Sequence, residues 1–554
     1  MIISTSRLGG LAMAAALSMT VAAQARAAGT GGWPSAGQDL KNSRWAQDER
    51  KISPKTVAGL QLKWAFSTAG DVTANPAVEG DFVYFPDSAG WLYKLNKATG
   101  ALVWKRQVSD LTGLPGDFAR ATPAIAGDAL IFGNQAGKYT APDFSSFGRP
   151  DAARVVAVNK NTGALIWMTK VDPGLTMSFI THSAIVADGK AIVGLASNEE
   201  LIAGFWPKAN GWTWNFRGSV VALDVATGAI HWKTYMVPPG YYGGAVWGST
   251  GAVDRAHGLV YMATGNNYWV PQTALDCLNG GGTPAGCMSP DNHFNSIVAM
   301  DLKTGAIKWG ARGLPYDVWN VGCGLSIPGV FTVPPNDNCP NPKGPDWDFA
   351  QGPMLFGGND GDNESGNLVG AGQKSGMFWA FNAKTGKPAW STQVAPPGLT
   401  GGLQWGSATD GRDVFVAVAQ SGLRGAGQDV PPWTLKDGST TTAGGWAALD
   451  AKKGKVLWTT KDPLDSRAEA AVSGANGVIF GCNLDQVNGT MYALDAKSGK
   501  VLWSYNSGSG VSPFVSGVFG ACNAGPSIVD GMVFWGTGTF QGAPGPKKVL
   551  AFGL

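Results

Sequence analysis

One segment recurs along the whole chain: a short apolar strand, an Asp or Asn, Thr-Gly or a close variant, and an alternating stretch ending on Trp. The clear copies are "LNKATGALVW" to Trp104, "VNKNTGALIW" to Trp167, "LDVATGAIHW" to Trp232 and "MDLKTGAIKW" to Trp309. They continue as "FNAKTGKPAW" to Trp390, "LDAKKGKVLW" to Trp458 and "LDAKSGKVLW" to Trp503. A degenerate eighth, "GLQLKW" to Trp64, keeps the strand and loses the turn. Each copy reads as a β-hairpin, because Asp or Asn closes a turn through its own side chain and Gly supplies the positive φ. One hairpin cannot bury its apolar faces, so the units must stack. The anchors are about 40 to 80 residues apart, room for four short strands each. Radial stacking of such sheets predicts an all-β, eight-bladed β-propeller with tryptophan-anchored blades. The terminal "KKVLAFGL" and the early "LQLKWAF" are expected in one blade, closing the ring.

Gly at 80 and Trp at 23 among 554 residues fit many tight turns with regular aromatic anchors. The net charge of +3 falls to about +1 once Arg7 and Arg26 are set aside, and no run of like charges occurs. Nucleic acid and membrane surfaces are therefore not expected partners. Arg7, the apolar stretch Leu8 to Ala23 and the Ala25-Arg26-Ala27 cleavage pattern predict a signal peptide over residues 1–27. Residues 28–554 are then one exported propeller domain with no membrane span. Six cysteines suit an oxidising compartment. Local pairing predicts Cys277 with Cys287 and Cys323 with Cys339, leaving Cys482 and Cys522. No C-x-x-C-H occurs, so no covalent haem is expected.

Polar residues that appear once mark loops breaking the repeat, and propellers place ligands at one mouth of the channel. Asp291-Asn292 precedes the strand "SIVAM". Asn266-Asn267 follows "LVYMATG", and Glu199-Glu200 follows "IVGLASN". Two carboxylates and an amide oxygen at strand ends suit a hard cation such as Ca²⁺.

These residues, the Trp repeats and the N-terminal "SAGQDLKNSRWA" together resemble the quinoprotein alcohol dehydrogenases, over about Trp33 to Leu554. The resemblance implies pyrroloquinoline quinone (PQQ) and Ca²⁺ in the channel. It implies that Trp247 of "GGAVWGSTGAVD" lies under the quinone, with Asn266 and Glu199 as metal ligands, Glu200 being the neighbouring alternative. It makes Asp291 the catalytic base and a metal neighbour, Lys374 of "GQKSGMFWAF" a donor to the quinone oxygens, and Arg120 and Thr181 partners of PQQ carboxylates. Asp317 and Trp319 of "YDVWN" become supporting residues.

The chain departs from the family in having no adjacent cysteines to cover the second face of PQQ. Lanthanide-using relatives carry a further Asp two residues past the catalytic one; His293 stands there, which argues for Ca²⁺. With the Cys277–Cys287 insertion, the chain looks most like the polyvinyl-alcohol-dehydrogenase branch. The expected function is periplasmic oxidation of a secondary or polymeric alcohol, with electrons leaving to a separate acceptor such as a cytochrome c. The alternatives are a non-catalytic scaffold of an envelope assembly complex and a PQQ enzyme for aldoses or aldehydes. The aromatics of Phe205 to Phe216 serve either as an entrance for bulky substrate or as packing.

Overall fold

Each copy of the repeat closes its turn as its residues require. Asp301 Oδ1 accepts the backbone N–H of Lys303 (3.1 Å) and Thr304 (2.9 Å) and the Thr304 hydroxyl (2.9 Å). Gly305 follows at φ +74°. A Cβ there would also lie 2.5 Å from the Trp232 ring of the preceding blade. The glycine is thus required by its own backbone and by the indole resting on it.

The computed structural model describes residues 32–137, 151–327, 331–357, 367–420, 431–484, 489–507, 524–538 and 547–554. The predicted signal peptide and Cys522 lie outside them. The described residues form eight four-stranded antiparallel sheets, the eight-bladed propeller expected. A representative blade runs Ala252–Asp254, Leu259–Ala263, Ser296–Asp301, Ile307–Arg312, the last two strands being the repeat hairpin. First strands of neighbouring blades lie against one another and line the axis. Gln61–Ser67 pairs antiparallel with Lys548–Gly553, so both ends of the chain close one blade.

Each anchor Trp crosses to the next blade. Trp104 Nε1 donates to Lys160 O (3.2 Å), Trp167 to Val225 O (2.9 Å) and Trp503, across the closure, to Leu60 O (3.2 Å). Trp64, Trp309, Trp390 and Trp458 do the same. Trp232 is the exception, its buried Nε1 lacking a partner among the described residues.

The segment Trp33–Ala46 occupies the channel. Its backbone bonds to the first strands of six blades, at Val78, Ile125, Val253, Leu355, Thr409 and Gly474. Arg44 is buried there, donating to Ala36 O and Val472 O (both 2.8 Å). Disulfides join Cys277 to Cys287 and Cys323 to Cys339, as predicted, and Cys482 is also disulfide-bonded. Among the described residues no helix is long and apolar enough to cross a membrane.

Candidate active site

In an antiparallel meander the start of the first strand and the end of the second meet at the same rim. Loops at those two places therefore converge on one mouth of the channel. Thr181 precedes the first strand Ile185–Ala187, and Glu199 and Glu200 follow the second, Lys190–Gly194. Trp247 and Asn266 hold the equivalent places in the next blade. Beyond it, Asp346 and Asp348 precede Met354–Phe356, and Lys374 follows Leu368–Gly372.

Asp348 joins these blades. Its Oδ1 accepts the Asn266 backbone N–H (2.6 Å), and its Oδ2 accepts Trp247 Nε1 (3.1 Å) and Lys374 Nζ (2.9 Å). Lys374 also bonds Asp346 Oδ1 (3.0 Å) and lies 5.3 Å from the Trp247 ring centre. All three charged residues are buried, and the two carboxylates hold the Lys374 pKa above its ordinary value against the opposing pull of burial. A Cβ at Gly265 would come within 2.8 Å of Asp348 Oδ1 and 3.2 Å of Trp247 Nε1, so the cluster fits only against a glycine. Asp317, fully buried, sets the approach of this loop: it accepts the N–H of Asp346 (3.0 Å) and Trp347 (2.7 Å) and the Asn295 amide (2.8 Å). Burial lifts its pKa to about 7. Trp319 acts through its carbonyl, which accepts Asn266 Nδ2 (2.9 Å).

The two neighbouring glutamates divide their roles. Glu199 is buried and both its oxygens are occupied, accepting the N–H of Asn215 (2.9 Å) and Phe216 (3.0 Å). It anchors a loop. Glu200 faces the cluster: burial, then the Asp348 charge, lifts its pKa to about 8 while Lys374 and Asn266 oppose the rise. Its buried Oε1 has no hydrogen-bond partner among the described residues.

Asp291 does not join this group. It is exposed, and its backbone N–H bonds Ser289 Oγ (3.3 Å). The reason is radial: Asp291 leads into a third strand, two strand spacings of about 4.8 Å out from the axis, whereas Asp348 leads into a first strand. Its neighbour Asn292 is buried but pairs reciprocally with Asn267 (2.8 and 3.2 Å). Thr181 donates its hydroxyl proton to Trp247 O (2.8 Å), so it positions the Trp247 loop and has no proton left for another acceptor.

Arg120 and Thr181 line one axial cavity with Arg44, Ser183, Ser249 and Trp405. Trp405, at φ +60°, stands edge-on to Trp247 with ring centres 5.5 Å apart, and the Arg120 guanidinium lies 5.0 Å from the Trp405 ring. The sequence reading missed Asp346, Asp348, Arg44 and Trp405. The available signal was "GPDWDFA", two acids in a single-copy loop ahead of a first strand. Among the described residues no three His, Cys, Asp or Glu side chains form a metal-holding group by themselves.

The family model described as outer membrane protein assembly factor BamB matches residues 58–174 and 374–538. Those stretches carry repeats and omit Glu200, Trp247, Asn266 and Asp348. The chain is 30% identical over 538 residues to a polyvinylalcohol dehydrogenase from Sphingopyxis sp. (strain 113P3), covering 91% of this chain and 72% of that relative. A polyvinylalcohol dehydrogenase from a Pseudomonas species is 28% identical, covering 82% and 64%. The chain thus spans roughly two thirds to three quarters of these relatives. The quinohemoprotein alcohol dehydrogenase structure from Comamonas testosteroni superposes with TM-score 0.63 at 18% identity, covering 94% of this chain and 80% of that one, which shows the shared fold. On the near full-length similarity to the Sphingopyxis protein, this chain belongs to the quinoprotein alcohol dehydrogenase family, alongside the polyvinylalcohol dehydrogenases.

Proposed function

We propose that the chain is an exported, periplasmic dehydrogenase that takes PQQ and Ca²⁺ at this mouth and oxidises a secondary or polymeric alcohol. A separate acceptor, a cytochrome c, would take the electrons. The carrying observation is Asp348, a buried carboxylate bonded at once to the Trp247 indole, the Asn266 backbone and the Lys374 ammonium. The disulfides support an oxidising compartment.

The residues present fit both groups. Glu200 and Asn266 offer the carboxylate and amide oxygens that a hard cation takes. The buried, unpartnered Oε1 of Glu200 is a donor site whose desolvation a cation would offset. Two residues beyond Asp348 stands Ala350 rather than an acid, so the argument for calcium over a lanthanide carries over to this loop. Trp247 presents an indole face to a flat ring. Arg120 and Arg44 bring guanidinium groups to the cavity that Trp405 also lines, where they would suit carboxylates.

When bound, the quinone accepts the hydride and its two electrons, and the calcium ion polarises the reactive carbonyl. Asp348 takes the hydroxyl proton of the alcohol as general base. Lys374, fixed between Asp346 and Asp348, sets positive charge beside the reacting oxygens without having to reorient.

The test is dye reduction by the purified protein loaded with PQQ and Ca²⁺, on a primary alcohol, a secondary alcohol and polyvinyl alcohol, with and without chelator. Chelator-sensitive, PQQ-dependent turnover is expected. Failure to bind PQQ, followed by absorbance, would overturn the reading.

A further inference from the structure

The segment from Ala203 to Phe216 is held at both ends by side chains. At its far end the Glu199 carboxylate accepts the N–H of Asn215 and Phe216. At its near end Asn336 Nδ2 donates to Ala203 O and Gly204 O (both 3.0 Å). Asn338 Nδ2 donates to Ala203 O (2.8 Å) and Trp206 O (2.7 Å). Asp337 accepts the N–H of Lys208 (2.8 Å) and Ala209 (3.0 Å). Asn336, Asp337 and Asn338 lie inside the loop closed by the Cys323–Cys339 disulfide.

The aromatics of this segment split into two groups. Trp214 and Phe216 are buried, Trp214 stacked on Trp269 (6.4 Å, 9° between planes) and Phe216 on Tyr268 (6.1 Å). Those are packing. Phe205 and Trp206 are 40% and 49% exposed, although their backbone N–H groups are fixed to Ile202 O (2.9 and 3.0 Å). The segment continues directly from the short helix Glu199–Ile202 that carries Glu200, and Trp206 stands four residues past its end. Large apolar side chains left partly exposed on a braced backbone, in the segment that follows Glu200, form a preorganised binding surface. The charges of its own brace are engaged, the Asp337 carboxylate by two N–H groups and the Lys208 ammonium by the Trp269 ring at 3.3 Å. The surface therefore suits an uncharged chain with an apolar backbone better than a charged protein.

Resting on the dehydrogenase reading above, we propose that Phe205 and Trp206 form a ledge that binds the chain of a polymeric alcohol leading into the site, with Asn336, Asp337 and Asn338 as positioning residues.

The test compares Trp206→Ala and Asn338→Ala with the holoenzyme of native sequence on polyvinyl alcohol and on pentane-2,4-diol. Both variants should lose about tenfold or more in kcat/KM on the polymer through KM, and stay within about twofold on the diol. In parallel, native gels cast with polyvinyl alcohol should retard the native protein but not Trp206→Ala, a readout independent of PQQ. Retardation with no turnover on any alcohol would defeat the dehydrogenase reading and leave the ledge. Turnover of the diol without retardation, or equal losses on both substrates, would overturn the ledge. So would a Trp206→Ala defect seen only with a protein electron acceptor. Should Trp206→Ala fail to fold, Asn338→Ala and Phe205→Ala carry the same comparison.

Discussion

Replacing Asp348 and Asp291 by Asn, one at a time, separates two carboxylates that stand at similar-looking loops. At Asp348 the change keeps size and removes charge. Two oxygens accept three hydrogen bonds there, and Asn retains one oxygen, so its amide must point donor-to-donor at Asn266 N–H or at Trp247 and Lys374. Leaving a buried donor unpaired costs about 1–3 kcal/mol. Lys374 keeps Asp346, so the full cost of an unpaired buried charge is not reached. A stability loss of about 2–4 kcal/mol follows, read by denaturant melts. Removing a general base costs about 10²–10⁴ in rate, or roughly 3–5 kcal/mol on the barrier. Asp348→Asn should therefore retain fold and PQQ binding while kcat falls by about 10³. At Asp291 the hydrogen bond is made by the backbone, so Asn there should change stability by less than about 0.5 kcal/mol and turnover by less than twofold. The reasoning is refuted if Asp291→Asn loses a hundredfold in kcat while Asp348→Asn keeps more than a tenth.

The adjacent glutamates should also separate. Glu199→Gln keeps one acceptor for two backbone N–H groups and should lower stability by about 1–3 kcal/mol, whereas Glu200→Gln should leave the calcium-free melt near that of the native sequence and raise the calcium needed for half-activity at least tenfold; reversed phenotypes would return the ligand role to Glu199. His182 is buried with neither ring nitrogen partnered among the described residues, and burial depresses its pKa to about 3. Its unfolded-state value is about 6.5, so the unfolded chain binds the proton first as pH falls. Its stabilising contribution is full above pH 6.5 and declines by about 1.4 kcal/mol per pH unit toward pH 3. Melts across that window should be shallower for His182→Leu, and parallel profiles would clear His182.

The architecture was legible because each element of the repeat answers a local physical need: Asp301 closes a turn, Gly305 takes a left-handed backbone, and Trp309 covers the following blade. The same logic placed Trp247, Asn266 and Lys374 near the mouth, since each adjoins a recognisable strand. It failed at Asp291 because a linear sequence shows that an acid precedes a strand, not whether that strand is the first or the third of its blade. Radial position decides access to the axis, and only the assembled sheet order displays it. Glu199 and Glu200 differ by one residue of helical rotation, about 100°, which a loop sequence cannot register. Asp346 and Asp348 were hidden because their acids flank a Trp that belongs to no repeat. The Cys323–Cys339 pairing was legible from proximity, but its use as a brace for Ala203–Trp206 depends on contacts across more than a hundred residues.

A ring of blades can open where its closing strand Gln61–Ser67 peels from Lys548–Gly553 or where two neighbouring blades part. Seven joints carry an indole-to-carbonyl bond across them; among the described residues the joint at Trp232 lacks it, a deficit of about 1 kcal/mol. That joint divides the blade bearing Glu200 from the blade bearing Trp247 and Asn266. A cation shared by Glu200 and Asn266 would span the same gap and work as a clasp. Loss of the ion would then loosen the molecule where its two halves of the site meet, so that metal occupancy governs the cohesion of the ring as well as its chemistry.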